Sequence, residues 1–376
     1  MLIGVPLETA AGETRVAVTP ETAKKLKGQG HTIRVQSGAG IAASVTDAAY
    51  EAAGAEITDR AGALGADLVL KVRSPDTEEL GAMKRGAALV GMLNPFDKDG
   101  LQALAGAGLT SFALEAAPRT TRAQSMDVLS SQANIAGYKA VMIAATQYQR
   151  FFPMLMTAAG TVKAARVVIL GVGVAGLQAI ATAKRLGAVI EASDVRPSVK
   201  EQVESLGAKF IDVPYETAEE KEAAEGVGGY ARPMPQSWLD RQKIEVAKRV
   251  AAADIVISTA LIPGRAAPVL VTEDMVKAMK PGSVIVDIAA GKGANGIGGN
   301  CPLSEADKTV VKHGVTLVGE TNLAALVAAD ASALYARNVL DFLKLVLTKE
   351  GTFNVPMDDD IVVACLMTQA GEVKRK

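Results

Sequence analysis

The chain is poor in aromatics, cysteine and histidine. Only 4% of its 376 residues are aromatic although 49% are apolar. Ala, Val, Leu and Ile must therefore fill its core, with glycine letting helices and strands approach closely. Its two cysteines, Cys301 and Cys365, stand far apart and form no CxxC. That argues against a disulfide framework and a thiolate metal site, and fits a reduced, cytosolic protein. Neither sign of charge is in excess: 40 basic against 41 acidic residues leave a net charge of −1. Nothing there favours a nucleic-acid partner. The start, MLIGVPLETAAGETR, lacks the basic cluster and apolar run of a secretion signal and reads as a first strand. Long hydrophobic runs are scarce too. Residues 167–183 hold no charge and come near the lower limit for a membrane span. Three glycines in their middle fit a strand, a turn and a buried helix better. No membrane span and no metal site are expected.

Short β runs alternate with amphipathic helices, the pattern of parallel α/β sheets. Residues 2–5, 31–36, 55–58, 68–72, 87–93 and 109–114 read as strands, with helices opening at Thr19–Pro20 and Thr46–Asp47. Residues 123–149 read as a long helix joining two domains. A second series of strands follows at 165–170, 189–194, 209–213, 254–259, 283–289 and 315–319. A further long helix over 323–347 returns the chain to the first domain, and the tail, DIVVACLMT then QAGEV, reads as a strand and a turn. The fold expected is α/β: two Rossmann-like parallel-sheet domains separated by a cleft and joined by long helices. The first takes residues 1–135 and 325–376, the second 136–324. No internal sequence repeat is evident. Residues 214–238 break the rhythm, beginning acidic and ending GVGGYARPMPQSW. They read either as a mobile loop with Tyr230 at its tip or as a solvated insertion. Residues 291–302, GKGANGIGGNCP, form a glycine-rich turn.

A GxGxxG alone is weak, because glycines are common in turns. Here ARVVIL precedes it as a buried strand and VAGLQAIATAKRLG follows as a helix. Gly171 permits the tight turn, Gly173 lets backbone approach a pyrophosphate, and Gly176 lets helix and strand pack. The helix N-terminus offers free N–H groups to phosphates. The next strand ends in Asp194, the acid that accepts from ribose hydroxyls and repels a 2′-phosphate. The cofactor read from these residues is NAD(H), with Arg196 nearby as the one residue that could favour NADP. The competing reading is a glycine-rich turn that binds nothing.

Four stretches carry a resemblance: PRTTRAQSMDVLSSQANIAGYKAV (118–141), TAAGTVKAARVVILGVGVAGLQAIATAKRLGA (157–188), TALIPGRAAPVLVTEDMV (259–276) and GGNCPLS (298–304). The chain closely resembles the NAD(H)-binding component of proton-translocating nicotinamide nucleotide transhydrogenase, a family similar to alanine dehydrogenase. The resemblance implies that Arg119, Gln124, Asp127 and Ser130 stand beside the nicotinamide and its ribose, with Gln124 orienting the ring. It implies that Val172, Gly173, Val174, Asp194, Val195 and Arg196 serve the adenosine and pyrophosphate. Gly229 and Tyr230 match a mobile loop that closes over the nucleotide, and Leu261 a residue lining the cofactor cleft. Read without the resemblance, Arg119, Gln124, Asp127 and Ser130 are ordinary helix-capping residues, and Leu261 is a core leucine past a strand end.

Scarce histidine also bears on the chemistry. A dehydrogenase acting on an amine or alcohol moves a proton with the hydride and needs a general acid or base, most often histidine. His31 and His313 lie near no motif. Alanine dehydrogenases place a histidine in the region matching 91–96, where this chain has Met92, Leu93 and Asn94, and an acid where it has Ala290 and Gly291. Arg15 and Lys71 stand where those enzymes hold a substrate carboxylate, or else serve as surface ion-pairing residues. Transhydrogenation needs no proton relay, because hydride passes directly between two nicotinamide rings held close and dry. The resemblance thus implies a Re/Si-specific NAD(P)+ transhydrogenase component transferring hydride between NADH bound here and NADP+ bound on a partner. Proton translocation, an NADP(H)-binding component, a membrane-spanning component, a homodimer and a cytoplasmic site peripheral to the inner membrane are implied with it. The alternatives are an alanine-dehydrogenase-like enzyme and a non-catalytic redox sensor.

Overall fold

The computed structural model describes residues 1–225, 234–348 and 351–375. Its strands are Leu2–Val5 (β1), Thr32–Gln36 (β2), Glu56–Thr58 (β3), Leu68–Arg73 (β4), Ala88–Met92 (β5), Thr110–Ala113 (β6), Leu155–Thr157 (β7), Gly160–Val162 (β8), Arg166–Leu170 (β9), Val189–Ser193 (β10), Lys209–Phe210 (β11), Ile255–Ser258 (β12), Val284–Asp287 (β13), Thr309–Lys312 (β14), Val315–Val318 (β15), Leu366–Gln369 (β16) and Glu372–Val373 (β17). The chain separates into two compact units, residues 1–132 with 324–376, and residues 133–323.

In the first unit the parallel strands run in the order β3-β2-β1-β4-β5-β6, and β16 then β17 extend the edge antiparallel. In the second the parallel order is β11-β10-β9-β12-β13-β15, with β14 antiparallel at the edge. Both are the third-second-first-fourth-fifth-sixth order of a doubly wound sheet, in which ligands bind outside the carboxyl ends where the order reverses. That point lies between β1 and β4 in the first unit and between β9 and β12 in the second.

The strands read as unbroken apolar runs because both sheet faces are covered. In β9, Val167 and Ile169 point into one buried cluster, Val168 and Leu170 into another. Helix Ala328–Val346 buries Tyr335, Val339, Phe342, Leu343 and Val346 in the core of the first unit. With the turn before it, Leu323–Val346 is long and apolar enough to cross a membrane, with a mean hydropathy of 1.3, and 56% of its 18-residue apolar stretch is buried within the protein.

The structure departs from the sequence reading in four places. The tail segment at residues 360–365 is a helix, not a strand, because Asp359 caps it, accepting from Ile361 N at 2.9 Å and Val362 N at 3.1 Å. The strand begins only at Leu366. Within 214–238 the acidic stretch folds as helix Ala218–Glu225, and Trp238 is buried in the first turn of helix Gln236–Ala252. There it stacks on Tyr215 with ring centroids 5.7 Å apart. The β7–β8 hairpin and β14 carried no clear strand signal.

Candidate nucleotide site

The reversal point of the second unit is built from the loops after β9, β10 and β12. Gly171 has φ +91°, a conformation L side chains rarely adopt, and a Cβ there would stand 2.9 Å from Thr259 Oγ1. A Cβ on Gly176 would stand 2.1 Å from Gly171 O, so glycine is what lets the helix pack against the turn. Around Gly173 a Cβ would meet nothing within 4 Å. That glycine caps helix Val174–Arg185, whose first N–H groups have no intrahelical acceptor. Val172 is buried and Val174 exposed. The turn is therefore open where an anion would approach and tight everywhere else.

The neighbouring loop is tied to that turn. Thr259 Oγ1 donates to Gly171 O at 2.9 Å. Asn300 accepts from Ala260 N at 3.0 Å and donates to Ala260 O and Pro268 O. Asp287, fully buried at the end of β13, accepts from Ala289 N, Asn300 N, Cys301 N and the hydroxyls of Ser258 and Ser304. The glycine-rich 291–302 segment is thus folded around one carboxylate and presents Asn300 as a clamp. Leu261 follows this clamped loop and is exposed rather than a core leucine. Sequence reasoning missed Asp287, Thr259 and Asn300 as site residues, although the stretches TALIPGRAA and GGNCPLS hold two of them.

Asp194 lies just past β10. Its Oδ2 accepts from Val172 N at 2.8 Å and from Arg196 Nη2 at 2.9 Å, and its Oδ1 from Arg196 N and Nε, both at 2.9 Å. The loop is braced by Tyr215, whose hydroxyl donates to Val195 O. Burial and the nearby Asp194 push the Tyr215 hydroxyl pKa up, keeping it a donor. This arrangement can receive a pyrophosphate on a helix N-terminus and sets a carboxylate, here bonded to Arg196, at the strand end where a ribose diol binds. Gly229 and Tyr230 lie outside the described residues.

Arg119, Gln124, Asp127 and Ser130 belong to the first unit. Gln124 is exposed in the 3-10 turn Thr121–Met126. Asp127 and Ser130 meet directly: Ser130 N donates to Asp127 Oδ1 at 2.9 Å and its hydroxyl to Oδ2 at 2.5 Å. This is a helix-capping geometry for the long helix Val128–Gln147. Behind the turn, Asn338 donates to Ser125 O at 2.7 Å and accepts from the Ser131 hydroxyl at 2.7 Å. Asn338 immediately precedes the stretch VLDFLKLV, a buried amide in a core helix, and sequence reasoning passed over it. Arg119 is exposed beside the turn.

The reversal point of the first unit holds a buried ion cluster. Lys71 Nζ lies 2.7 Å from Glu79 and 3.3 Å from Glu8, with all three side chains at most 2% exposed. Arg15 donates to Glu13 through Nε and Nη2, each at 2.7 Å, and to Gln132 Oε1 at 2.8 Å. Arg15 and Lys71 are therefore buried ion pairs, not surface ones. Burial alone would push the Glu13 pKa up, but Arg15, with help from Arg73, holds it at about 2. Burial raises that of Glu8 against the pull of Lys71.

Glu115 stands near the ends of β5 and β6, where Oε1 accepts from Asn94 N at 2.7 Å while the buried Oε2 has no hydrogen-bond partner among the described residues. Burial raises its pKa. The folded state thus holds the proton more tightly than the unfolded chain. Glu115 costs nothing at pH 4 and destabilises progressively as pH rises through its raised pKa. Glu115→Gln is expected to stabilise the protein at pH 7 by about 1 kcal/mol, the low end of the cost of a buried unpaired acceptor, and to change little at pH 4. Urea titrations at both pH values test this, and an equal change at both would refute the titration argument.

Neither histidine reaches a carboxyl edge. His31 is buried immediately before β2, at the amino edge of its sheet, and burial lowers its pKa. His313 lies in the turn between β14 and β15, at the amino edge of the other sheet, 2.9 Å from Glu273. Both thiols are buried with raised pKa values, that of Cys365 reaching about 12, so neither is a ready nucleophile.

Residues 4–136 match the alanine dehydrogenase/PNT N-terminal domain, and residues 140–376 match the C-terminal domain of the same name. The chain belongs to the alanine dehydrogenase/PNT family. Within this family it is 50% identical over 382 residues to the first portion of the NAD(P) transhydrogenase alpha subunit of Rhodospirillum rubrum, covering 99% of this chain and 97% of that protein. It is 31% identical over 380 residues to alanine dehydrogenase of Bacillus subtilis, covering 99% of this chain and 92% of that one. Among solved structures, a transhydrogenase from Sinorhizobium meliloti superposes with a TM-score of 0.89 at 46% identity, covering 99% of this chain and all of that one (100%). An L-alanine dehydrogenase gives 0.79 at 27% identity, covering 99% and 96%. The similarity supports an oxidoreductase subunit of transhydrogenase type that binds nucleotide.

Proposed function

We propose that this chain is the NAD(H)-binding component of a Re/Si-specific, proton-translocating NAD(P)+ transhydrogenase. Hydride passes directly between NADH held here and NADP+ held on a partner component, and a membrane-spanning partner couples the transfer to proton movement. In the second unit, Gly171, Val172, Gly173, Val174 and Gly176 take the pyrophosphate, and Asp194 the adenosine ribose, with Val195, Arg196 and Leu261 lining the cofactor site. In the first, Gln124 orients the nicotinamide ring with Arg119, Asp127 and Ser130. Gly229 and Tyr230 also contribute to binding the nucleotide. The protein works as a homodimer, peripheral to the cytoplasmic membrane through its partners. The exposed apolar side chains Met154, Leu155 and Met156 on the β7–β8 hairpin favour a protein partner there.

The observation that carries this reading is the state of the carboxyl edge of the first sheet. Arg15 and Lys71 are tied to buried carboxylates, and both histidines sit at amino edges. A reaction that moves hydride alone needs no free carboxylate anchor and no general base there, whereas amino-acid dehydrogenation needs both.

The test is transfer from NADH to an NADP+ analogue by the chain alone and with a purified transhydrogenase NADP(H)-binding component. Transfer only in the mixture is expected. Turnover of pyruvate with ammonia by the chain alone would instead establish the alanine-dehydrogenase alternative. In the mixture, Gln124→Ala should slow transfer about a hundredfold, the scale of a small misplacement of reacting atoms, while NADH affinity changes little. An unchanged rate would remove Gln124 from the transfer site.

A further inference from the structure

We propose that Arg196 sets nucleotide choice by competing with the ribose for Asp194. This rests on reading the second unit as an NAD(H) site. A carboxylate offers about four acceptor positions, and here donors fill them: Val172 N and Arg196 Nη2 on Oδ2, Arg196 N and Nε on Oδ1. No position is left for the two hydroxyls of a ribose. Val172 N and Arg196 N belong to the turns themselves and cannot withdraw without rebuilding the loop. The guanidinium can. It is 23% exposed against 8% for the Asp194 side chain, and its bond from Nη2 to Val172 O is long at 3.2 Å. The positions it holds on the carboxylate are the ones a diol takes on binding.

The same pair bears on a nucleotide with a 2′-phosphate. A bare carboxylate repels that phosphate, and a carboxylate neutralised by a bidentate arginine repels it less. Arg196 thus weakens the binding of the unphosphorylated nucleotide, which must displace it, and softens the rejection of the phosphorylated one. It narrows selectivity that Asp194 alone would make wider.

The experiment titrates NADH and NADPH against the full-length wild type, Arg196→Met, Arg196→Lys and Asp194→Asn, with melting curves to establish that each is folded. Arg196→Met should bind NADH about tenfold more tightly, the scale of one charge-assisted hydrogen bond no longer displaced. It should bind NADPH more weakly. Arg196→Lys, which keeps the charge without the fork, should fall between it and wild type. If Arg196→Met binds NADH no better while Asp194→Asn still weakens it, the competition is overturned and the nucleotide site stands. If Asp194→Asn binds NADH as tightly as wild type, the site reading itself fails and the competition with it.

Discussion

Replacing Lys71 with methionine is expected to destabilise the protein by about 3–5 kcal/mol at pH 7, the usual cost of removing one partner of a buried ion pair. The side chain comes off a central strand and ends between Glu79 and Glu8, both buried. Among the described residues each carboxylate keeps only backbone donors afterwards: Asp76 N for Glu79, Val72 N and Arg73 N for Glu8. Those bonds do not replace a cation. Burial already raises the Glu8 pKa against the pull of Lys71, and losing Lys71 raises it further. A carboxyl with a raised folded pKa is harmless below its unfolded pKa and destabilises as pH rises. The deficit should therefore shrink from pH 7 to pH 5 in urea denaturation, and Glu79→Gln added to Lys71→Met should recover some of it. A deficit under about 1 kcal/mol, the range of exposed pairs, would mean that the cluster is solvated. The consequence for function is specificity. Lys71 cannot hold a substrate carboxylate while it neutralises two carboxylates of its own.

Gly176→Val should lose NADH binding and cost about 1–3 kcal/mol of stability, the range for forcing atoms into a packed interior. Its Cβ would stand 2.1 Å from the carbonyl oxygen of Gly171. That oxygen is backbone and is already held by the Thr259 hydroxyl, so the turn has to move and the Val172 N–H bonded to Asp194 moves with it. Gly173→Ala is the matched contrast. A Cβ there meets nothing in the protein, so stability should hold while NADH affinity falls, because the methyl occupies space left for the ligand. Thermal melting with NADH fluorescence titration separates the two. Equal stability loss in both variants would contradict the packing argument.

The glycine loop was legible because every requirement on it is local. Tight turn, open approach and close helix packing each demand glycine at one position, and the flanking strand and helix announce themselves by period. Asp194 was legible for the same reason. Its engagement by Arg196 was not, since residues two apart at a strand end say nothing of which way a guanidinium folds. The capping role of Asp127 and Ser130 could be read from their spacing alone. The support of the neighbouring turn could not, because Asn338 lies far along the sequence and reaches Ser125 only once its helix is packed. The tail was misread because β-branched residues outweighed an acidic cap whose effect depends on where the strand pairs.

By itself the sequence determined the two α/β series, the fingerprint turn and its acid, and the shortage of groups able to move a proton. These follow from composition, periodicity and short-range stereochemistry. Tertiary structure alone decided the strand order that places both reversal points, the folding of residues 289–304 around Asp287, and the pairing of Arg15 and Lys71 with buried carboxylates. The physical reason is that a charge acquires its role from its neighbours. Whether an arginine or lysine binds a ligand or merely neutralises the protein depends on which carboxylates the fold brings within about 4 Å, as it does for Lys71 between Glu8 and Glu79.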